Sequence, residues 1–419
     1  MHIMINAIGS SGDINPMLMI GARLLSEGHR VDFIASPHFE DRVRDFGMRL
    51  LPLGSREQYN EALSNPDVWK LEKAFAAVWN ILIPSIRQSY DWIIEEHSPG
   101  DTLLVGTTLA IGARFAQEKI NLPMASVHLS PALMLSAHNT PVSPTSPVPE
   151  WMPLAIRSGW VHLFERLVLD PIAAPPLNNL RAELNLAPIR QVMTRWIHSP
   201  HLVLCAFPEW FASVQPDWPA NSVNCNFPIY KDRSTTQTAS DELNTFLNAG
   251  SPPVVITAGT AMAFAKPFIE KGIRAAQSCG LRVIVVCAFD EQVPRLPANA
   301  MHIRYADFND LFKRALMVLH HGGIGTSATA LAQACPQLVV PFAHDQFDNA
   351  KRLERLGVAR MADTNGSISS WSACMKFLQA IEVKKKCDIY KSKTEQDIPG
   401  EEKIAEVLKE RKLIESKFS

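Results

Sequence analysis

Two short clusters carry residue types able to do chemistry. Near the N-terminus, Gly9-Ser10-Ser11-Gly12-Asp13 follows the apolar run 3–8. A carboxylate just past a strand stands where α/β proteins place their sites, and there it can accept a proton. The plainer use of Asp13 is to cap the helix that opens near Pro16. The second cluster is the stretch 318–349, VLHHGGIGTSATALAQACPQLVVPFAHDQFDN. In it His320-His321-Gly322-Gly323 leads into Gly325-Thr326, and His344-Asp345-Gln346 follows a second apolar run that ends at Pro341. A glycine turn that opens a helix offers unpaired N–H groups and the positive end of the helix dipole, a seat for a phosphate or diphosphate. A carboxylate beside a carboxamide suits the hydroxyl groups of a sugar. Each signal alone has a structural use; their order along one strand–turn–helix–strand unit gives them weight.

These groups need elements to hold them. After the run 3–8, Met17, Ile20 and Leu24 repeat at helical spacing, Gly28-His29 closes that helix, and 31–35 is a second strand. This is the opening unit of a parallel α/β domain. Its glycines do not follow G-x-G-x-x-G, so no dinucleotide fingerprint is present. Further strands are expected at 103–106, 125–129, 202–206 and 224–228, with a small-residue helix at 109–117. The polar, Ser/Thr-rich stretch 231–241 has no apolar periodicity and reads as a linker. The pattern then restarts, with strands at 254–257, 283–287 and 302–305 and the turn Ala258-Gly259-Thr260. Ala328, Leu331, Ala332 and Cys335 mark one buried helical face.

Between the strands lie candidates of a different kind. Leu71, Phe75, Val78, Trp79 and Leu82 form one helical face, suited first to a core and second to an apolar ligand. From 130 to 176 proline recurs at 131, 141, 144, 147, 149, 153, 171, 175 and 176, which forbids regular structure over much of the region. Trp160, Leu163, Phe164 and Leu167 make an amphipathic helical stretch inside it. A long irregular insertion beside a site is usually functional, here as a lid. His128 and His138 flank it and could face a ligand or serve the structure.

Composition narrows the classes. A chain of 419 residues suggests two or three domains, and 47% hydrophobic with 20% charged residues describes an ordinary globular protein. A formal net charge of −1 gives no basic excess for nucleic acid. The seven cysteines form no C-x-x-C pair, which points to free thiols and away from disulfides or zinc. No metal-ligand cluster is visible. The N-terminal MHIMINAIGSSGD is too short in apolar residues for a signal sequence. The expectation is a cytoplasmic protein, with peripheral contact at the inner face of a membrane left open.

The motifs together resemble the nucleotide-sugar glycosyltransferases called GT-B, the architecture of antibiotic, sterol and plant UDP-glycosyltransferases. Gly9-Ser10-x-Gly12-Asp13-x-x-Pro16 is similar to the opening of the bacterial and sterol members, and Asp13 stands where plant relatives carry a catalytic histidine. Tyr305-Ala306-Asp307-Phe308 resembles the W-x-P-Q segment that stacks on the base, with Asp307 in place of the proline. The family histidine immediately precedes the glycine, which selects His321 over His320. Ala334 stands where relatives carry a glycine, a change expected to tighten packing only slightly. The whole length is similar to the rhamnosyltransferases of rhamnolipid synthesis, through Leu135-Ser136-Ala137-His138, His198-Ser199-Pro200, Asp217-Trp218-Pro219 and Asp345-Gln346-Phe347-Asp348-Asn349-Ala350.

The resemblance implies an α/β fold of two facing Rossmann-like domains with parallel sheets and an interdomain cleft. Acceptor binding would fall to 1–230, the linker to 231–250 and donor binding to 251–400, with a terminal helix at 401–419 that crosses back. It implies Asp13 as the base, with Thr260, Tyr305, His321, Gly322, Gly323, Gly325, Thr326, Asp345 and Gln346 on the donor. Ser10, Trp79, His128, His138 and Trp160 would meet an apolar, hydroxyl-bearing acceptor, with no cofactor and no metal. Single displacement implies inversion. dTDP-L-rhamnose with a hydroxy-fatty-acid dimer is the expected pair, and UDP-glucose with a sterol, polyketide or flavonoid the alternative. A nucleotide-sugar epimerase needs several acid/base groups around the sugar, which the Gly9–Asp13 opening does not offer, and a silent binding module would not need Asp13, His321, Asp345 and Gln346 together.

Overall fold

The computed structural model describes residues 1–144, 148–149, 151–232, 241–260, 262 and 264–414. Pro147 and most of the expected linker, 233–240, lie outside the described residues. The chain divides into two compact units, Met1–Tyr230 with Ile398–Ser419, and Lys231–Asp397.

The first unit is built on strands β1 (His2–Asn6), β2 (Arg30–Ala35), β3 (Arg49–Pro52), β4 (Thr102–Thr107), β5 (Met124–His128), β6 (Leu202–Ala206) and β7 (Ser222–Cys225). They form one sheet in the order β3-β2-β1-β4-β5-β6-β7, every pairing parallel. β1, β4, β5 and β6 are buried along their whole length, as strands covered on both faces must be. The second unit holds β8 (Val254–Thr257), β9 (Val283–Val286), β10 (Ala300–Ile303), β11 (Met317–His320), β12 (Gln337–Val339) and β13 (Ala359–Met361). Their order is β10-β9-β8-β11-β12-β13, again parallel throughout. In both sheets the strand order reverses at one point, between β1 and β4 and between β8 and β11. Loops diverge there, and a crevice opens beyond the carboxyl ends of the strands.

Two expectations are corrected. The strand expected at 224–228 is Ser222–Cys225; Pro228 has no N–H to give a ladder and lies beyond it. The proline-rich region is far more helical than its composition suggests. The helix Leu154–Phe164 passes through a π-helical turn, Glu165–Leu169, into the helix Asp170–Glu183, which contains Pro175 and Pro176. Pro153 stands at a helix start, where no N–H is needed. An interior proline costs about 3 kcal/mol. Burial of Ala173, Ala174 and Leu177 against the helix Ala74–Glu96 offsets that cost.

Trp79 lies in this core, 1% exposed, edge-on to Phe75 and among Leu82, Ile86 and Phe115. It therefore shapes the wall and offers no face to an acceptor. The terminal helix Gly400–Glu410 packs on the helix Ser11–Ser26, where Lys409 reaches Glu27 at 2.9 Å and Arg23 faces Glu402 at 3.5 Å. Gly400 lies so close to the 226–228 backbone that a Cβ would fall 2.2 Å from the Asn226 carbonyl. All seven cysteines are unbonded. Among the described residues no helix is long and apolar enough to cross a membrane, and no group of three or more His, Cys, Asp or Glu is placed to hold a metal ion.

Candidate active site

In the first unit the switch point carries Asp13. Ser10 caps the helix Ser11–Ser26 and Asp13 is its third residue, so the two form a capping box. One Asp13 carboxylate oxygen accepts from the Ser10 amide at 2.9 Å and from the Ser10 hydroxyl at 3.3 Å. Asp13 thus does cap this helix, from inside its first turn, and remains half-buried at the end of β1. Gly9 makes the approach possible. Its φ is +136°, and a Cβ there would fall 2.2 Å from the carboxylate. The Thr107 hydroxyl, at the end of β4, accepts from the Ile8 amide at 3.3 Å and ties the two diverging loops together.

Two neighbours of Asp13 carried no sequence signal. Arg42 donates to Ser11 Oγ and Asn15 Oδ1, both at 3.1 Å, and holds the outer face of the same helix. Tyr59 stacks on His38 at 4.4 Å, and its phenol is pushed upward by burial and by the charge of Asp13. Both come from elements more than twenty residues away along the chain.

His128 ends β5 and is fully buried. Its Nδ1 meets Thr108 Oγ1 at 2.9 Å and its Nε2 meets His198 Nδ1 at 2.9 Å. Both ring nitrogens are occupied, so His128 is a structural histidine and not an acceptor contact. His138 is exposed, with its amide on Ser136 Oγ; Trp160 is exposed on the helix Leu154–Phe164. Burial holds both His128 and His198 below the ordinary histidine value of 6.5, with His198 further depressed by Arg114 and His128 by His198. The unfolded chain therefore binds protons below that value that the folded chain refuses. Stability is present above pH 6.5 and is lost as pH falls, with a slope of up to about 1.4 kcal/mol per pH unit for each ring. Thermal melts across this range should show it, and His198→Gln should flatten the dependence.

The second unit gathers three loops at its switch point. β8 runs into Gly259, β11 into His321 and Gly322, and β12 into the 341–346 loop. The half-buried His321 ring lies between two glycines. A Cβ at Gly259 would fall 2.6 Å from His321 Cε1, and one at Gly323 would fall 2.5 Å from Nε2. His321 Nδ1 is buried and has no hydrogen-bond partner among the described residues. Burial, then the charge of His344, lowers the ring's pKa to about 4, so it is neutral at pH 7. His320 is the opposite case. Fully buried, it accepts from the Gly322 amide through Nδ1 at 3.2 Å and meets Gln337 Oε1 through Nε2 at 3.0 Å, and so sets the turn.

Gly323 is the N-cap of the helix Ile324–Ala332, and no side chain caps that end. Thr326 is half-buried in the first turn. The turn is locked from behind. Gly322 has φ +97°, and a Cβ there would fall 3.0 Å from the Gln346 carbonyl. Gln346 spends its amide oxygen on the Phe342 and Ala343 amides, at 2.8 and 3.1 Å. Asn349 donates to the Gly322 carbonyl at 3.0 Å and to Asp345 Oδ2 at 2.8 Å, and so joins the glycine turn to the acid. Sequence reasoning passed over Asn349; its position four residues after Asp345, on one helix face, was the available signal. Thr260 is exposed next to Gly259. Tyr305 is 40% exposed, its hydroxyl on the Asp232 carboxylate. Asp307, in place of the family proline, caps the helix Phe308–Lys313 through the Asn309 amide at 2.9 Å. Ala334 adopts φ +51°, so its departure from glycine falls on the backbone more than on packing.

Gly325 differs from its neighbours, because a Cβ there would meet nothing within 4 Å. Gly325→Ala should therefore leave the melting temperature unchanged or raised, since alanine favours a helix over glycine, while a methyl group at the open helix end weakens an anion's binding by about tenfold. Gly322→Ala should instead cost about 1–3 kcal/mol of stability, because it forces a side chain into the left-handed region. Thermal melts and calorimetric titration with a nucleoside diphosphate separate the two outcomes.

Comparison with known proteins agrees with this fold. Residues 3–136 match the N-terminal domain of glycosyltransferase family 28, and residues 279–400 match the C-terminal domain typified by the erythromycin biosynthesis protein CIII. Glycosyltransferase GtfE of Amycolatopsis orientalis is 27% identical over 368 residues, with 85% of each chain covered. Sterol 3-beta-glucosyltransferase UGT80B1 of Arabidopsis thaliana is 28% identical over 413 residues, which cover 92% of this chain and 64% of that protein. Among solved structures, the glycotransferase of kitacinnamycin superposes with a TM-score of 0.74 at 18% identity, covering 98% of both chains. VinC, solved in complex with DTDP, superposes at 0.68 with 16% identity over 99% of this chain and 100% of its own. The chain is a glycosyltransferase of the GT-B class. More particularly, it is a nucleotide-sugar-dependent hexosyltransferase with a family 28-like segment at 3–136 and an erythromycin CIII-like segment at 279–400.

Proposed function

We propose that this enzyme moves a sugar from a nucleoside-diphosphate donor to a hydroxyl of an apolar small molecule, with inversion at the anomeric carbon and without a metal ion. The observation that carries the reading is the uncapped helix end at Gly323, with the His321 ring packed against it and the buried Nδ1 of that ring without a partner among the described residues. In the single displacement, the acceptor oxygen bonds to the anomeric carbon as the bond from that carbon to the diphosphate oxygen breaks. Asp13 takes the acceptor proton. The amides of 323–326 and the imidazole of His321 receive the charge that grows on the leaving diphosphate, the part a divalent cation plays in other transferases. Asp345, held by Asn349, orients the sugar, Gln346 has only its amide NH2 to add because its oxygen is committed to the turn, and Thr260 and Tyr305 lie further along the donor.

For the donor we propose a dTDP- or UDP-sugar, dTDP-L-rhamnose first. That choice rests on the resemblance to rhamnolipid rhamnosyltransferases and on the DTDP complex of VinC. For the acceptor we propose a 3-hydroxyalkanoate dimer, reached through Ser10, His138 and Trp160. A second reading, UDP-glucose transferred to a sterol or another secondary metabolite, is favoured by the sterol glucosyltransferase among the relatives. Incubation of the protein with each donor and each acceptor, with products read by mass spectrometry, decides between them. Absence of product from every pair, with donor hydrolysis at background, would refute the reading.

A further inference from the structure

The helix Leu154–Phe164 has no buried residue. Ile156, Trp160 and Leu163 repeat at helical spacing and are 56%, 40% and 49% exposed; on the following turn Leu167 is 62% exposed. Exposed apolar side chains are ordinary when scattered, but an ordered row of four is a contact surface.

Charge indicates the partner. The two acids of this stretch are turned inward. Glu165 accepts from the Met193 amide at 2.9 Å, the Thr194 amide at 2.8 Å and the Thr194 hydroxyl. Asp170 accepts from the Gln191 and Val192 amides at 2.8 and 3.0 Å. Arg166, within this stretch, and Arg195, on the turn Val192–Trp196 that packs against Glu165–Leu169, are exposed. What remains outward from 154 to 170 is a ridge of apolar side chains with the exposed Arg166 next to Leu167 and no exposed acid. A second copy would set these arginines against their own kind, because a two-fold interface brings each patch onto itself. A bilayer has the complementary chemistry: acyl chains for the row, lipid phosphates for the arginines, and a headgroup boundary that suits tryptophan.

We propose that this ridge docks the protein on an anionic lipid surface. The measurement is separable from the transfer chemistry, because vesicle binding needs neither donor nor acceptor, and Trp160, proposed above to meet the acceptor, stays unchanged in the variants. Full-length protein is sedimented with vesicles of phosphatidylcholine plus phosphatidylglycerol, and with phosphatidylcholine alone. Binding to the anionic vesicles should be about tenfold stronger or more, should weaken with salt, and should shift tryptophan emission to the blue. The triple variant Ile156→Gln, Leu163→Gln, Leu167→Gln replaces exposed side chains only. It should keep its melting temperature and lose binding by about tenfold or more. Arg166→Glu with Arg195→Glu should remove the preference for anionic lipid. The proposal is overturned if the protein binds neither vesicle, if the triple variant binds undiminished, or if the charge variant keeps its preference. It is overturned as well if light scattering shows a dimer that the triple variant dissolves, which would assign the ridge to a second copy.

Discussion

Asp13→Asn is expected to lower the turnover of sugar transfer by about 10²–10⁴-fold, the range of a lost general base, while donor affinity stays as in the parent. The choice of asparagine matters. Asp13 also receives the Ser10 amide and hydroxyl, and an amide oxygen can still accept both. The asparagine variant therefore keeps the capping box and removes mainly the proton acceptor. Asp13→Ala would lose the cap as well, at about 0.5–2 kcal/mol by analogy with N-cap losses, and would confuse the two roles. Steady-state kinetics, calorimetry with donor and a thermal melt on one Asp13→Asn preparation give the answer. Full activity would end the case for Asp13 as base.

His321→Ala is expected to cost about 10²–10³-fold in turnover, the scale of losing a preorganised partner to developing charge, and to weaken donor binding. The fold should survive, because the buried His321 nitrogen has no partner to leave behind. His320→Ala should do the reverse damage. It strands the Gly322 amide and the Gln337 side chain, at about 1–3 kcal/mol for each buried group left unsatisfied. The pH dependence adds a second readout. With its pKa lowered to about 4, His321 is neutral when free, and an anionic donor raises that value. The bound state then takes up the proton more readily, so affinity rises as pH falls towards the free value. Calorimetry of parent and His321→Ala across this range checks the slope, which the variant should lack. Identical slopes would place the diphosphate away from His321.

Much of both halves was legible because parallel sheets announce themselves. β1, β4, β5, β8, β9 and β11 are short buried runs bounded by turn residues, and hydrophobic burial on both sheet faces leaves no other pattern open to them. The glycines after β1 and β11 could be read from type and spacing, since a side chain at Gly9 or Gly322 would strike its neighbours. The helical run through Pro171, Pro175 and Pro176 was not legible. Local propensity opposes it, and packing on a distant helix overrules that propensity.

The amino-acid sequence by itself determined where each half's candidate loop begins, because strand, glycine turn and helix are local choices made over a few residues. Only the tertiary structure decided which side chains those loops meet. Gly259 came to lie against His321, Asn349 came to bridge the Gly322 carbonyl and Asp345, and Tyr59 came within the field of Asp13. Trp79 and His128 went instead to buried positions. The reason is physical: strand order in a sheet brings together residues far apart along the chain, and burial, which separates a ligand-facing side chain from a wall, belongs to the packed whole.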